Sequence, residues 1–298
     1  MSAGCNGCDI QIYESLDPKY KLRELEVEIV TEPEEANVLA VTGGVNFKGK
    51  EELSKAYAQL KPPKLVLAVG NCATSKGIFD KGYPMAGPPN QIIPVHLYIN
   101  GCPPRPQAIV AAIAQILGAD LDTKEDYWNA PEGFRGKHEF DVHKCVGCGA
   151  CAQVCSSNAI SILEKDGKRS IAVDYGICTF CGFCQDQCPT QAIRLTQRYS
   201  LINSQRDAMN VKNEVELARC CSCGAYFLPE EQIKWALARV TEKVQRSKEY
   251  SRDLGQAVRI CYQCRKQIAN IRRAKKVLYS ISSHADRSID VETLGWKE

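Results

Sequence analysis

The chain has 298 residues, including 17 cysteines; 44% of residues are apolar and 24% charged, with a formal net charge of +3. That balance supplies a packed core and argues against wholesale disorder. No apolar run approaches the ~18 residues of a membrane span, and a Gly- and Cys-rich stretch directly after Met1 is no secretory leader, so neither an integral membrane protein nor a secreted one is expected. This cysteine load points to metal rather than to a disulfide scaffold. The small net charge hides an acidic front and a basic tail from Pro189 onward.

Residues 1–118 alternate strand and helix signals. Short β-branched or aliphatic runs at 27–30, 38–41, 65–69 and 92–99 read as strands. Residues 51–60 and 107–117 read as helices, the second entered through Pro103, Pro104 and Pro106 and stopped by Gly118. The alternation predicts a mostly parallel sheet with helices on its faces. Cys5 and Cys8 form a C-x-x-C. Cys72 follows strand 65–69 through Gly70 and Asn71, and Cys102 follows strand 92–99 through Asn100 and Gly101. Both lie where open α/β sheets build their sites, beyond the carboxyl ends of strands. The Gly43–Gly44 turn opens on the same edge. Four thiolates there suit a 4Fe–4S cluster or zinc; the plainer reading makes Cys72 and Cys102 small buried hydrophobes.

The strings GCNGCDI, AVGNCATSKGIF and INGCPPRP resemble the small subunits of membrane-bound, energy-converting NiFe hydrogenases and, less closely, the related subunit of respiratory complex I. The resemblance implies a flavodoxin-like domain over 1–118 in which Cys5, Cys8, Cys72 and Cys102 bind a 4Fe–4S cluster close to the active site. Complex I has two adjacent cysteines at the first position, so Cys5-x-x-Cys8 favours the hydrogenase side. The family's usual strand ahead of the first cysteines is missing, so either the sheet lacks an edge strand or a partner covers that edge. The family commonly carries a glutamate where this chain has Gln11. That puts a proton-relay role there in doubt and leaves Glu14 as a substitute or as a solvated surface residue.

Residues 119–137 are polar and turn-rich and read as a linker, with Tyr127, Trp128 and Phe134 placed to pin it across two domains. Residues 138–196 carry C-x-x-C-x-x-C-x-x-x-C twice, at Cys145, Cys148, Cys151, Cys155 and at Cys178, Cys181, Cys184, Cys188. Three thiolates of each run reach one cubane and the fourth serves the other cluster. Cys145, Cys148, Cys151 and Cys188 are thus assigned to one cluster, and Cys178, Cys181, Cys184 and Cys155 to the second. Two zinc sites are the weaker alternative, because zinc favours C-x-x-C pairs from separate loops. Asp166–Gly167 marks a hairpin between 160–163 and 170–173. The segment resembles two-cluster bacterial ferredoxins and the matching complex I subunit, and is a small α+β domain.

In 197–298, Cys220-x-x-Cys223 and Cys261-x-x-Cys264 offer four thiolates for one zinc or rubredoxin-like iron ion, with Cys221 spare or exchanged for Cys220 in the register. Ile233, Ala236, Leu237, Val240 and Val244 recur at helical spacing after Pro229. This region therefore reads as a helical metal-binding extension with four cysteine ligands, resembling that of the ferredoxin-type subunit in formate hydrogenlyase complexes. The basic stretch 265–276 reads as a solvated face, a docking site for an acidic redox partner, or, least favoured, a nucleic-acid contact.

The whole chain reads as a fusion of the two subunit types. It is expected to be an electron-transfer subunit of a membrane-associated NiFe hydrogenase complex, with three 4Fe–4S clusters and one Zn or Fe ion and no complete active site of its own. The alternative is the equivalent relay subunit of a complex I-like quinone- or sulfur-reducing oxidoreductase. Expected partners are a NiFe large subunit, antiporter-like membrane subunits and a redox donor such as ferredoxin or a formate dehydrogenase subunit, and no nucleic acid. Expected placement is cytoplasmic and peripheral, on the inner face of the cell membrane.

Overall fold

The computed structural model describes residues 4–80, 82, 85–119, 130–206, 210–244 and 254–267. The chain divides into two compact units. The first holds residues 1–144, 149–162 and 171–213; the second holds 145–148, 163–170 and the chain from 214.

The first unit opens with α1 (Gly7–Glu14), which starts after Asn6 in a left-handed turn of φ 62°. Then come β1 (Val38–Thr42), the short β2 (Val45–Asn46) and α2 (Phe47–Gln59). Asn46 caps α2 by accepting from the Gly49 N–H at 2.6 Å. Next are β3 (Leu65–Val69), the short α3 (Asn71–Ser75), β4 (Met85–Gly87), which pairs with β2, and β5 (Leu97–Ile99). The helix α4 (Pro106–Leu117) has proline at its first position and Gly118 at φ 65° closing its end. β1, β3 and β5 are parallel neighbours. Leu67, Val69, Leu97 and Ile99 pack against Ala108, Ile109 and Ala112 of α4, with Ile12 of α1 alongside. Each fully buried aliphatic side chain of this layer contributes about 1.5–3 kcal/mol over leaving it exposed.

Two expected strands change. Residues 27–30 form no strand: Glu26 turns left-handed at φ 56°, and Ile29 and Val30 stay exposed. β1 is therefore an outer strand with no neighbour on its far side among the described residues. The strand expected over 92–99 shrinks to β5. A 3-10 turn at Pro89–Gln91 leads into this stretch, Pro94 has no N–H for the ladder, and the His96 ring accepts from the Val66 N–H at 3.1 Å.

The ferredoxin segment contributes β6 (His138–Phe140), α5 (Ala150–Gln153), β7 (Ile160–Lys165), β8 (Lys168–Asp174), α6 (Phe183–Asp186) and β9 (Ile193–Leu195). β6 and β9 are antiparallel. The sequence repeat extends to the backbone. Gly149 and Gly182, Asn158 and Gln191, and Gly147 and Phe180 are equivalent positions in the two copies, and all six have positive φ. Asp166 (φ 51°) and Gly167 (φ 78°) make the hairpin turn between β7 and β8. Beyond this segment β10 (Ile202–Asn203) returns to the first sheet and pairs antiparallel to β5, giving the order β1-β3-β5-β10. Two residues carry no periodicity from which this strand could be read.

The second unit is built on β11 (Asn210–Arg219), β12 (Tyr226–Pro229) and α7 (Glu230–Val244). β11 and β12 pair antiparallel, and the tip of the β7–β8 hairpin completes the order β12-β11-β8-β7. Along β11 Asn213, Val215 and Leu217 are buried in alternation. α7 follows Pro229 directly and carries Glu230 and Glu231 in its first turn, where the helix dipole favours acids. The extension thus begins as a strand pair before it turns helical. Among the described residues no helix is long and apolar enough to cross a membrane.

Candidate metal centres

Three segments of the first unit bring the four N-terminal thiols to one rim. Cys5 and Cys8 flank the start of α1, Cys72 lies in α3 just past β3, and Cys102 lies just past β5. The Thr42 hydroxyl donates to Asp9 at 2.6 Å and ties α1 to the end of β1. On the same edge a Cβ added to Gly44 would lie 3.5 Å from the Cys72 carbonyl. Gly70 has φ 87°, and a Cβ there would stand 2.3 Å from Cys8 Sγ, so only glycine lets that sulfur reach the rim.

The four sulfurs feel one another. Burial, then the neighbouring Cys72, Cys102 and Cys5, push the Cys8 thiol up to about 12. Burial, then Cys102 and Cys5, push Cys72 up to about 11, and burial with Cys5 raises Cys102. Ionised together in a half-buried place, these thiolates require positive charge among them. Neither thiol is a fully buried core residue: Cys72 is half-buried, and Cys102 keeps access to solvent although nearby atoms still desolvate its sulfur.

A cleft of about 430 Å³ lies beside Cys102 and is lined by Gln11, Glu14, Arg105, Arg135 and Phe180. Gln11 Nε2 donates to Glu14 at 3.0 Å, and the Tyr20 hydroxyl reaches the same carboxylate at 3.4 Å. Glu14 is thus a held side chain at this rim. Phe134, from the linker, stands edge-on to Tyr199 at 6.3 Å and packs on the first sheet's core; Tyr127 and Trp128 fall outside the described residues.

The loop of Cys178, Cys181 and Cys184 also belongs to the first unit, as does Cys155. Burial, followed by Cys184, Cys155 and Cys181, drives Cys178 up to about 12, against the Phe180 N–H that donates to its sulfur at 3.3 Å. Burial, with Cys181 and Cys155, drives Cys184 up to about 11. Arg135 donates to the Cys181 carbonyl. Sequence reading missed Arg135; its only signal was charge in a polar linker. Cys155 and Cys188, equivalent in the repeat, each accept an N–H at 3.2 Å, from Ala159 and Ala192. Burial would raise Cys188, but N–H groups led by that of Ala192 outweigh it and hold the thiol below its ordinary value. Cys145 and Cys151 are buried, Cys148 half-buried.

The second unit holds a different set. The sulfurs of Cys220, Cys223, Cys261 and Cys264 all lie within 4.8 Å of one another, the one such cysteine group among the described residues. Cys223 and Cys261 sulfurs are 3.8 Å apart. Cys220 Sγ accepts from Cys261 N at 3.2 Å and Ser222 N at 3.4 Å. Burial opposes ionisation of Cys220, yet these N–H groups bring it down to about 6. Cys221 is exposed and outside the group, its N–H spent on the Arg259 carbonyl at 3.0 Å. Arg259 pairs with Glu230 at the start of α7 through both guanidinium nitrogens, one at 3.0 Å, bracing the second knuckle. The helical face of α7 packs inward through Ile233. The basic stretch from residue 268 to 276 falls outside the described residues, as do the last residues of the chain.

Spacing of the sulfurs decides what each set fits. Four sulfurs within 4.8 Å match a single tetrahedral ion. The N-terminal and ferredoxin thiols form no group that tight among the described residues, and their mutual repulsion with donated N–H groups suits a larger cluster of several irons.

Comparison with known proteins covers the N-terminal and ferredoxin thiols. Residues 5–116 match the family described as NADH ubiquinone oxidoreductase, 20 Kd subunit, and residues 144–192 match the 4Fe-4S dicluster domain. An uncharacterized protein of Methanocaldococcus jannaschii is 43% identical over 124 residues, 42% of this chain and 83% of its own length. The Pyrococcus furiosus protein named "Probable membrane-bound hydrogenase subunit mbhJ" is 39% identical over 39% of this chain and 70% of its own. Formate hydrogenlyase subunit 7 of Escherichia coli is 36% identical over 39% of this chain, which spans 45% of that relative. The chain thus belongs to the 20 Kd subunit family of NADH ubiquinone oxidoreductase through residues 5–116, fused to a 4Fe-4S dicluster domain.

Proposed function

We propose that the chain is an electron-transfer subunit of a membrane-associated NiFe hydrogenase complex. Three 4Fe–4S clusters form the relay: one on Cys5, Cys8, Cys72 and Cys102, one on Cys178, Cys181, Cys184 and Cys155, and one on Cys145, Cys148, Cys151 and Cys188. Cys220, Cys223, Cys261 and Cys264 hold one structural Zn or Fe ion. The clusters supply the one-electron chemistry, and the chain's residues set spacing, burial and hydrogen bonds to sulfur. Electrons enter at the ferredoxin segment from a ferredoxin or a formate dehydrogenase subunit. They leave by the N-terminal rim to a NiFe centre in a separate large subunit, with antiporter-like membrane subunits in the same assembly. The chain sits peripherally on the cytoplasmic face of the membrane.

The observation that carries this reading is the joining of two thiol sets in one compact unit, with the N-terminal set open at the surface through Cys5 and Cys102. Two relatives bear hydrogenase or formate hydrogenlyase names, which favours hydrogen chemistry.

A second reading has its own support. Gln11, which cannot take up a proton, lies one helical turn from Glu14 and donates to it. This favours an equivalent relay in a complex I-like quinone- or sulfur-reducing oxidoreductase. Purification of the intact complex with assays for nickel and hydrogen uptake separates the two. Nickel and uptake are expected; an active complex without nickel sinks the hydrogenase reading.

A further inference from the structure

Asn71 lies where two thiol sets of the first unit meet. It is 3% exposed. Its Nδ2 donates to the Cys178 carbonyl at 2.5 Å, and its Oδ1 accepts from the Gly101 N–H at 2.8 Å. Its own N–H donates to the Gly101 carbonyl at 3.1 Å. One amide therefore adjoins Cys72 in the chain, grips the residue before Cys102, and touches the backbone of Cys178. One helical turn on, the Ser75 hydroxyl donates to the Gly176 carbonyl from the same face of α3. A Cβ added to Gly176 would lie 3.5 Å from Ser75, so the two segments are in full contact.

Building on the relay reading, we propose that Asn71 is the positioning residue that couples the N-terminal cluster to the ferredoxin cluster on Cys178, Cys181, Cys184 and Cys155, and so makes that cluster the immediate exchange partner. Tunnelling decays steeply with distance, and more steeply across gaps than along bonds. The Cys72–Asn71–Cys178 route crosses the contact through one hydrogen bond. In the step one electron leaves the ferredoxin cluster, oxidising it by one, and arrives at the N-terminal cluster, reducing it by one; no atom or proton moves. Apolar packing would hold the segments together equally well. A buried amide with donor and acceptor both used fixes their register instead, because a misaligned contact leaves a buried polar group unpaired.

The test uses the anaerobically purified full-length holoprotein, chemically reduced, with iron content and electron paramagnetic resonance of cluster–cluster splitting as readouts beside the intramolecular exchange rate. With Asn71 unaltered, splitting of the N-terminal signal is expected to vanish in Cys181→Ser and persist in Cys148→Ser. Asn71→Ala is expected to keep its iron, alter the splitting and slow exchange. Ser75→Ala loosens the same contact while leaving the Asn71 amide and its bonds to Cys178 and Gly101 in place, and is expected to leave the splitting unchanged. Asn71→Asp keeps the acceptor for Gly101 and removes the donor to Cys178; it is expected to alter the splitting too, and replaces the alanine variant should that one lose iron. Native splitting and rate in both Asn71 variants, or splitting that persists in Cys181→Ser and vanishes in Cys148→Ser, overturns the proposal while the relay stands. An unaltered chain with no iron clusters overturns the relay itself.

Discussion

Two thiol arrangements in this chain use the same donor atom differently. In the first, thiols stand apart, several are driven up by burial and by each other, and their loops are propped by glycines and short hydrogen bonds. In the second, four sulfurs crowd within 4.8 Å, and backbone N–H groups hold Cys220 down while hydrogen bonding with the neighbouring thiols pushes Cys264 up. Cysteine count alone does not distinguish these cases; sulfur spacing does. The tight set has the spacing of a single tetrahedral ion.

The contrast can be broken by substitutions, in order of expected effect. Cys102→Ser should abolish the N-terminal cluster signal, remove about four irons per chain and stop electron transfer, while both ferredoxin signals stay; joint collapse of all three signals, seen by paramagnetic resonance, would contradict independent sites. Gly70→Ala places a methyl against Cys8 Sγ at a left-handed position. It should cost about 1–3 kcal/mol of backbone strain and the N-terminal cluster, with the other signals intact. Cys261→Ser should release the ion of the second unit and leave cluster spectra unchanged; metal analysis that shows cluster iron falling instead would erase the distinction between units.

A smaller effect sharpens the account of the first unit. His138 is buried beside Tyr175 and Phe180, with its Nδ1 unpartnered, and burial lowers it to about 4. Its folded value lies below the unfolded value near 6.5. The stability it contributes is therefore complete above the unfolded value and is lost as pH falls toward the folded one. Between about pH 7 and pH 5 the loss should approach about 2 kcal/mol. His138→Phe should flatten that slope in denaturant titrations of the holoprotein; an unchanged slope would show that the ring is already charged or unburied.

The legible parts of this molecule were those with dense local signals. The doubled cysteine run, the Asp166–Gly167 turn, the Pro106 start and Gly118 stop of α4, and α7 after Pro229 all lie in short windows that impose backbone geometry. Residues 27–30 misled because aliphatic content resembles a strand, whereas a strand also needs a neighbour to pair with. In 92–99 an apolar run hides Pro94, which has no N–H for a ladder. In β11 Val211, Asn213, Val215 and Leu217 share one face, but a polar Asn213 among them weakens the apolar period of two. Asn71 and Ser75 were unreadable as site residues, since their partners at Cys178 and Gly176 lie over a hundred positions away. Their one local trace was a pair of small polar residues at helical spacing around Cys72. Arg135 likewise acquires its meaning only from the loop it touches.

Quantifying iron, acid-labile sulfide and zinc per chain in anaerobically purified protein, with Mössbauer spectra of the same sample, tests the central claim most directly. The account predicts about twelve irons as 4Fe–4S clusters, with matching sulfide, plus one further metal ion of zinc or thiolate-bound iron. A preparation with intact fold that binds only single metal ions and no sulfide would contradict it.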